Sequence, residues 1–378
     1  MPWNARDAMS LREEFVRLAN HPDANVRELC RRFGISPQTG YKWLNRYRQE
    51  GAAGLLERSR KPASSPRLTD RGLEKEVIAI RKEHPAWGGR KIRHLLGQRI
   101  CASTVTNVLH RHGLITSEAS AAATPWKRYE REAPNDLWQI DFKGFFQTGQ
   151  GPCYPLTLID DHSRFNLAIQ ACAHQRTELV QEHLTDLFRR YGLPLQINAD
   201  NGAPWGAPRN PGELTPLGIW IVRLGIRLTF SRPGHPQTNG KDERFHRTLK
   251  TEVLRDRTFR DLREAQEAQE AFDLWRGVYN YKRPHQQLDY QVPRERYQMS
   301  TRPFPSRVPT FEYGPEDILV KPYDSQFRFR KRSFRIAKAL VGHILALRPS
   351  EKGPDHFDVY FCHRKLRTID FNNPDGKR

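Results

Sequence analysis

Between residues 10 and 50 apolar side chains recur at helical spacing in three short runs. Leu11, Phe15 and Leu18 form one stripe and Val26, Leu29 and Phe33 a second, and Gly34-Ile35-Ser36 then makes a turn. Ser36 suits an N-cap and Pro37 the first position of a third helix. That helix sets Gln38, Thr39, Lys42, Asn45 and Arg46 beside the apolar Tyr41, Trp43, Leu44 and Tyr47. The mixture suits a helix-turn-helix whose last helix reads a DNA major groove. A plain three-helix bundle would carry the same stripe. Residues 68–116 repeat the pattern, with helices over 70–83, 89–97 and 103–112 and Ser103 capping the last.

From residue 137 the period shifts to two. Strands are expected over 137–146, 154–160, 165–171, a short run ending near Asp200, and 226–230. Asp161-His162-Ser163-Arg164 reads as a hairpin turn, and Asp160 and Asp161 as turn acids. A helix over 176–191 precedes the Asp200 strand, and helices over 240–256 and 261–281 close the region. Beyond 311, short apolar runs such as Ile318-Leu319-Val320 and Ile344-Leu345-Ala346-Leu347 alternate with Gly, Pro and Asp, which predicts a small β-barrel. Within it, residues 328–335 interleave aromatic and cationic groups, Arg330 and Arg332 among them. A ribbon gripping DNA backbone and an edge strand guarded by charge fit that pattern equally.

Composition divides the chain further. Its 378 residues carry a net charge of +20, which favours a polyanionic partner. The excess is +11 over residues 1–130, +2 over 131–299 and +7 over 300–378, so the basic arms flank a nearly neutral middle. The resulting organisation is a helix-turn-helix domain over 1–56, a basic linker over 57–67 and a second helix-turn-helix domain over 68–118. A linker over 119–133, a core over 134–299 and a basic β-barrel-like domain over 300–378 follow. Arg58, Arg60 and Lys61 in the first linker suit either a minor-groove arm or a solvated tether. No run is long and apolar enough to span a membrane, and no basic-then-apolar signal opens the chain. The five cysteines are scattered and read as reduced, buried thiols in a cytoplasmic protein. The spacing of His94, Cys101, His110 and His112 fits no familiar zinc site.

Three acids stand out. Alternation in Leu137-Trp138-Gln139-Ile140-Asp141-Phe142 puts Asp141 opposite Trp138, Ile140 and Phe142, inside a strand and not at its end. Asp200 stands where an apolar strand runs out into a loop, the edge at which open α/β sheets place ligands. Glu243 follows the loop Arg232-Pro233-Gly234-His235-Pro236-Gln237-Thr238-Asn239-Gly240, with Arg247 and Lys250 at i+4 and i+7 on its helix face. Asp242 is the rival for third acid, but it lacks cations at both of those offsets.

The segment around Glu243 closely resembles the third-acid segment of bacterial insertion-sequence transposases with a retroviral-integrase-like catalytic core. Residues 157–164, 84–92 and 279–288 resemble other segments recurrent in that group, and the likeness covers about 10–300. It implies a multidomain α/β chain: a ribonuclease-H-like mixed five-stranded sheet behind all-α helix-turn-helix domains, with Asp141 and Asp200 on adjacent strands. It implies that Asp141, Asp200 and Glu243 are the catalytic acids and hold two Mg2+ or Mn2+ ions, with Asp141 bridging. Hard cations of this kind take oxygen ligands. The reaction implied is cleavage at the element's ends followed by joining of the freed 3′-hydroxyl to target DNA. Partners would be double-stranded DNA, both terminal inverted repeats and target, and at least one further copy of the chain. The location would be the bacterial cytoplasm, at the nucleoid. Arg247 and Lys250 would position phosphates, and His235, Gln237 and Asn239 would line the substrate loop. Two alternatives stay open: a DNA-binding regulator with a scaffold-only core, and a ribonuclease-H-like nuclease without joining activity. The 42 residues between Asp200 and Glu243 exceed the group's common spacing by roughly two helical turns. The excess is expected in a Pro/Gly-rich surface insertion over 203–215.

Overall fold

The computed structural model describes residues 8–58, 68–115, 130–149, 151–206, 213–231, 240–254 and 262–372. They fall into two compact units, Met1–Leu68 and Thr69–Arg378.

The first unit holds helices α1 (Ala8–Ala19), α2 (Val26–Arg32) and α3 (Pro37–Glu50). Ser36 caps α3, its Oγ accepting the Thr39 amide at 3.2 Å, with Pro37 in the first turn. Phe15, Val16, Cys30, Ile35, Trp43, Leu44 and Leu55 form the core. Leu18, expected in the first stripe, is 39% exposed, and Tyr41 and Tyr47 are 44% and 37% exposed. The buried stripe of α3 is instead Gly40, Trp43 and Leu44. Gly40 belongs there because a Cβ would stand 2.4 Å from Cys30 Sγ and 2.8 Å from the Phe15 ring. A stripe containing glycine is missed when only apolar letters are read.

In the second unit α4 (Arg71–Glu83), α5 (Gly89–Leu95) and α6 (Ala102–Arg111) pack around Val77, Trp87, Ile92, Val105 and Leu109. Asp70 caps α4. Cys101, not Ser103, takes the N-cap position of α6; Ser103 already lies inside the helix. Four cysteines are buried as expected and Cys101 is exposed. The module rests on the following domain, where Val278 joins its core and the His94 ring stacks on Tyr290 at 5.3 Å.

That domain runs β1 (Trp138–Phe142), β2 (Phe146–Thr148), β3 (Gly151–Asp160), β4 (Asn166–Cys172), α7 (Thr177–Tyr191), β5 (Gln196–Ala199), α8 (Pro216–Arg223), β6 (Arg227–Phe230), α9 (Gly240–Leu249) and α10 (Leu262–Tyr281). A π turn over Lys250–Leu254 prolongs α9. The five main strands lie in the order β4-β3-β1-β5-β6, and β2 pairs only with the start of β3. β1 is antiparallel to β3 and parallel to β5, and β5 is parallel to β6. This mixed sheet is ribonuclease-H-like. The single strand expected over 137–146 is broken at Gly144, whose φ of +62° turns the chain.

Strand alternation decides what each face meets. Ile140, Leu156 and Leu158 pack with Val180 and Leu184 of α7 and Leu217 and Ile221 of α8. Ile159 and Ile169 pack instead with Phe245 and Leu249 of α9 and Phe272 and Trp275 of α10. Asp141, paired with Thr157 in the register, shares this second face. The helix α8 was not expected. It begins at the Thr215 cap and buries five of its eight residues. The insertion before it is not wholly superficial either, since Trp205 and Leu214 are 1% and 3% exposed.

After α11 (Pro293–Arg296), the chain crosses α7's end, where Leu193 N donates to Arg302 O at 2.7 Å. β7 (Ile318–Val320), β10 (Leu345–Ser350), β11 (Gly353–Phe361) and β12 (Arg364–Asp370) then form a four-stranded antiparallel sheet in the order β12-β11-β10-β7. The hairpin β8 (Gln326–Phe329) and β9 (Arg332–Arg335) makes its own two-stranded sheet. Side chains join the two, Phe329 meeting Phe357 at 5.0 Å. Among the described residues, strand pairing does not close the expected barrel. No described helix is long and apolar enough to cross a membrane.

Candidate active site

Parallel pairing of β1 with β5 sets Gln139 against Asn198. Two residues beyond that pair stand Asp141, within β1, and Asp200, just past the end of the adjacent β5. Glu243, in the first turn of α9, reaches the same edge because α9 packs across the face that carries Asp141. Asp141 is pushed up to about 7, first by burial, then by the charge of Asp200 and less by that of Glu243. Asp200 is raised by burial, against a hydrogen bond from the Gly202 amide at 3.1 Å. Glu243 itself is exposed. Asp141 therefore responds to the charge of both other acids.

A divalent cation suits this donor set by its chemistry: all ligands would be carboxylate oxygens, and their mutual repulsion is what a cation relieves. The geometry is more open. Among the described residues no three His, Cys, Asp or Glu side chains converge closely enough to hold a metal ion.

Several neighbours went unnoticed in the sequence. His246, one turn beyond Glu243, brings Nδ1 to 3.9 Å from Asp141 Oδ2 and Nε2 to 2.7 Å from Thr157 Oγ1. Burial, and then Lys143, push its pKa down to about 3, so the ring is neutral and the approach to Asp141 is not an ion pair. Thr157 Oγ1 also lies 3.1 Å from the Asp141 carbonyl, to which it donates. One hydroxyl proton cannot serve both partners, so His246 donates from Nε2 when Thr157 bonds the carbonyl. Asp242, the rival third acid, is 1% exposed, and among the described residues neither of its oxygens has a hydrogen-bond partner. Burial, then Asp141 and Asp161, raise it well above the ordinary carboxyl range. Lys143 follows Asp141 by two residues and is depressed by burial and then by Lys250, which places these two cations near each other.

Asp160 and Asp161 divide their roles. Asp160 Oδ1 accepts Ser163 N at 2.8 Å and Ser163 Oγ at 2.5 Å, closing the turn. Asp161 reaches elsewhere: its Oδ1 lies 2.5 Å from Lys241 Nζ, at the start of α9. Their positions are 80 residues apart, and no local spacing signals the pair.

The expected DNA contacts are scattered over both units. In the first, Gln38, Lys42 and Asn45 are exposed on α3, while Thr39 and Arg46 are half-buried. Lys42 and Arg46 lie over the Trp43 ring, at 4.6 and 5.1 Å. Arg58 is ion-paired with Glu50. Arg60 and Lys61 lie outside the described residues, as do His235, Gln237 and Asn239. In the second unit Arg247 and Lys250 are exposed on the helix of Glu243. Arg330 sits over the rings of Phe329, Phe357 and Phe371, and Arg332 over Phe371.

Comparison with known proteins agrees with this architecture. Models of the integrase core domain match residues 131–236 and 224–293. A helix-turn-helix domain matches 11–63 and a homeodomain-like domain 39–109. The chain thus carries an integrase core preceded by helix-turn-helix domains. It is similar to bacterial insertion-sequence transposases. It is 26% identical over 246 residues to the transposase for insertion sequence element IS904 of Lactococcus lactis, covering 59% of this chain and 92% of that one. It is 24% identical to the 39.2 kDa protein of insertion element IS476 of Xanthomonas euvesicatoria, over 72% of each. The Gag-Pol polyprotein of baboon endogenous virus is 28% identical over 188 residues, but the match spans 10% of its length. The HTLV-2 integrase catalytic core in complex with magnesium superposes with a TM-score of 0.34 at 14% identity, covering 44% of this chain and 99% of that one.

Proposed function

We propose that this chain is a transposase that binds the ends of its insertion element, cleaves the DNA there and joins the 3′-hydroxyl ends to target DNA. The observation that carries the reading is the electrostatic coupling of Asp141 to both Asp200 and Glu243, from two adjacent strands and a helix. Nothing in the packing demands a carboxylate at all three positions. Two divalent cations held there would sharpen an oxygen nucleophile and relieve charge on the leaving oxygen. Asp141, which responds to the charge of both other acids, would be the ligand shared by the two ions. Arg247, Lys250 and Lys143 hold phosphates of the substrate strand in place. Water attacking a phosphodiester leaves a 3′-hydroxyl on one fragment and a 5′-phosphate on the other; that 3′-hydroxyl then attacks a target phosphodiester, making the new link as the target's own 3′-oxygen departs. No side chain acts as nucleophile, so the site requires no Ser or Tyr. The helix-turn-helix of the first unit reads element ends through Gln38, Thr39, Lys42, Asn45 and Arg46, and the basic hairpin of Arg330 and Arg332 tracks backbone. Joining two ends takes at least two copies of the chain on DNA.

The test is purified protein with Mg2+ or Mn2+ and labelled element-end DNA. Joined products support the proposal. Nicks alone favour a nuclease, and a shifted but uncut band a regulator. Asp141→Asn should remove turnover and keep DNA affinity; a variant that still cleaves overturns the assignment of the acids.

A further inference from the structure

Asp161 touches both elements that carry the outer pair of this site. Its Oδ1 accepts Gln139 Nε2 at 2.8 Å and faces Lys241 Nζ at 2.5 Å; its Oδ2 accepts the Arg131 amide at 2.9 Å. Lys241 Nζ also donates to the Asp161 carbonyl at 3.2 Å. Gln139 stands two residues before Asp141 on β1, and Lys241 two residues before Glu243 on α9. One carboxylate therefore bonds the strand of the first acid and the helix of the third, at matching offsets. Its side chain is 4% exposed and that of Lys241 17%, so solvent competes little for the pair. Asp161 is not needed to close the turn in which it lies, because Asp160 does that.

We propose that Asp161 is a positioning residue, which through Gln139 and Lys241 sets the start of α9 against β1 and so fixes the separation of Asp141 and Glu243. This rests on the reading of those acids as metal ligands. The ion pair provides a fixed point at the N-terminal end of α9, and the buried Phe245 and Leu249 hold the rest.

The experiment compares Lys241→Met and Asp161→Asn with wild type and with Lys241→Arg, which keeps the cation. Amide exchange of the metal-free full chain should accelerate at least ten-fold over residues 244–249 in the first two variants. Residues 138–160 and 267–281 should keep wild-type protection. Mn2+ binding followed by calorimetry should weaken at least ten-fold, and Lys241→Arg should recover most of both effects. DNA affinity without metal should stay within two-fold of wild type. Wild-type exchange and Mn2+ affinity in Lys241→Met would overturn the proposal, as would a loss of metal-free DNA affinity in their place, which would make Lys241 a DNA contact. If Asp161→Asn does not fold, Lys241→Met decides alone. Asp141→Asn run in parallel separates the two readings: if it still cleaves, the acid assignment fails whatever α9 does. If it is inactive and Lys241→Met behaves as wild type, only the positioning role fails.

Discussion

Asn280 hydrogen bonds both backbone groups of Asn166: its Oδ1 accepts the amide at 2.8 Å and its Nδ2 donates to the carbonyl at 2.9 Å. Asn166 opens β4, the edge strand of the main sheet, and the residues that follow meet α10 in the same way. Arg276 donates to Leu167 O at 3.2 Å, and Gln269 takes the Ala171 amide at 2.8 Å while donating to Ile169 O at 3.0 Å. Gln269, Arg276 and Asn280 lie at i, i+7 and i+11, one helix face. A free sheet edge is thus satisfied by side chains, which also blocks pairing with a foreign strand. Both asparagines are buried, so Asn280→Leu would leave two unmet backbone groups at about 1–3 kcal/mol each. A loss of roughly 3 kcal/mol is expected in urea unfolding followed by tryptophan fluorescence.

His246 ties Thr157 to the edge of the candidate site without carrying charge. His246→Ala should lower cleavage about ten-fold, equivalent to roughly 1.4 kcal/mol of barrier, with metal-free DNA affinity unchanged. His246→Gln should recover part of the rate, because an amide can still bond Thr157. A rate at the wild-type level in both variants would remove His246 from the account. Paired single-turnover assays and binding isotherms provide the comparison.

His285 accepts a hydrogen bond from Arg283 Nη1 at Nε2, 3.2 Å away. Its pKa is held well below the ordinary histidine value, first by burial and then by the charges of Arg283 and Lys91. In the unfolded chain it titrates near about 6.5. Below that pH the unfolded state binds a proton that the folded state refuses, so stability is full above it and falls as the pH falls. The slope cannot exceed about 1.4 kcal/mol per pH unit from this one group. Unfolding free energies measured from pH 7 to 5 should therefore drop more steeply for wild type than for His285→Gln. Parallel curves would contradict the buried neutral ring.

The C-terminal hairpin separates two kinds of arginine. Arg330 lies over three aromatic rings at 5.2 to 5.7 Å, whereas Arg328, between the buried Phe327 and Phe329, and Arg335, after the buried Phe334, are exposed. Arg330→Ala should cost about 1–2 kcal/mol of stability through lost cation–π contact and packing. Arg328→Gln and Arg335→Gln should leave the melting temperature alone. If the hairpin tracks DNA, each should reduce the slope of log affinity against log salt by about 0.9. Salt titrations that leave the slope of both variants unchanged would favour the charge-guard reading of this ribbon.

Legibility in the sequence followed locality. Ser36 and Pro37 announce α3, and alternation announces β1 with Asp141 within it, because caps and strand faces depend on neighbours a few residues away. The helix α8 escaped notice because its apolar run is short, opens with a proline and is only eight residues long, a pattern a loop also shows. Gly40 escaped because close approach of two helices leaves no apolar letter to count.

Taken alone, the chain's order of residues singled out Asp141, Asp200 and Glu243 as candidate acids, with their strand or helix setting, and the separation of basic arms from a neutral core. Those properties are local or additive, so they survive without coordinates. Tertiary structure decided which side chains surround the acids: His246 beside Asp141, Asp242 buried at the start of α9, and Asp161 reaching from a turn to Lys241. These contacts join segments whose approach is set by sheet order and helix packing. Burial and like charge act through space, and a list of residues carries no distances.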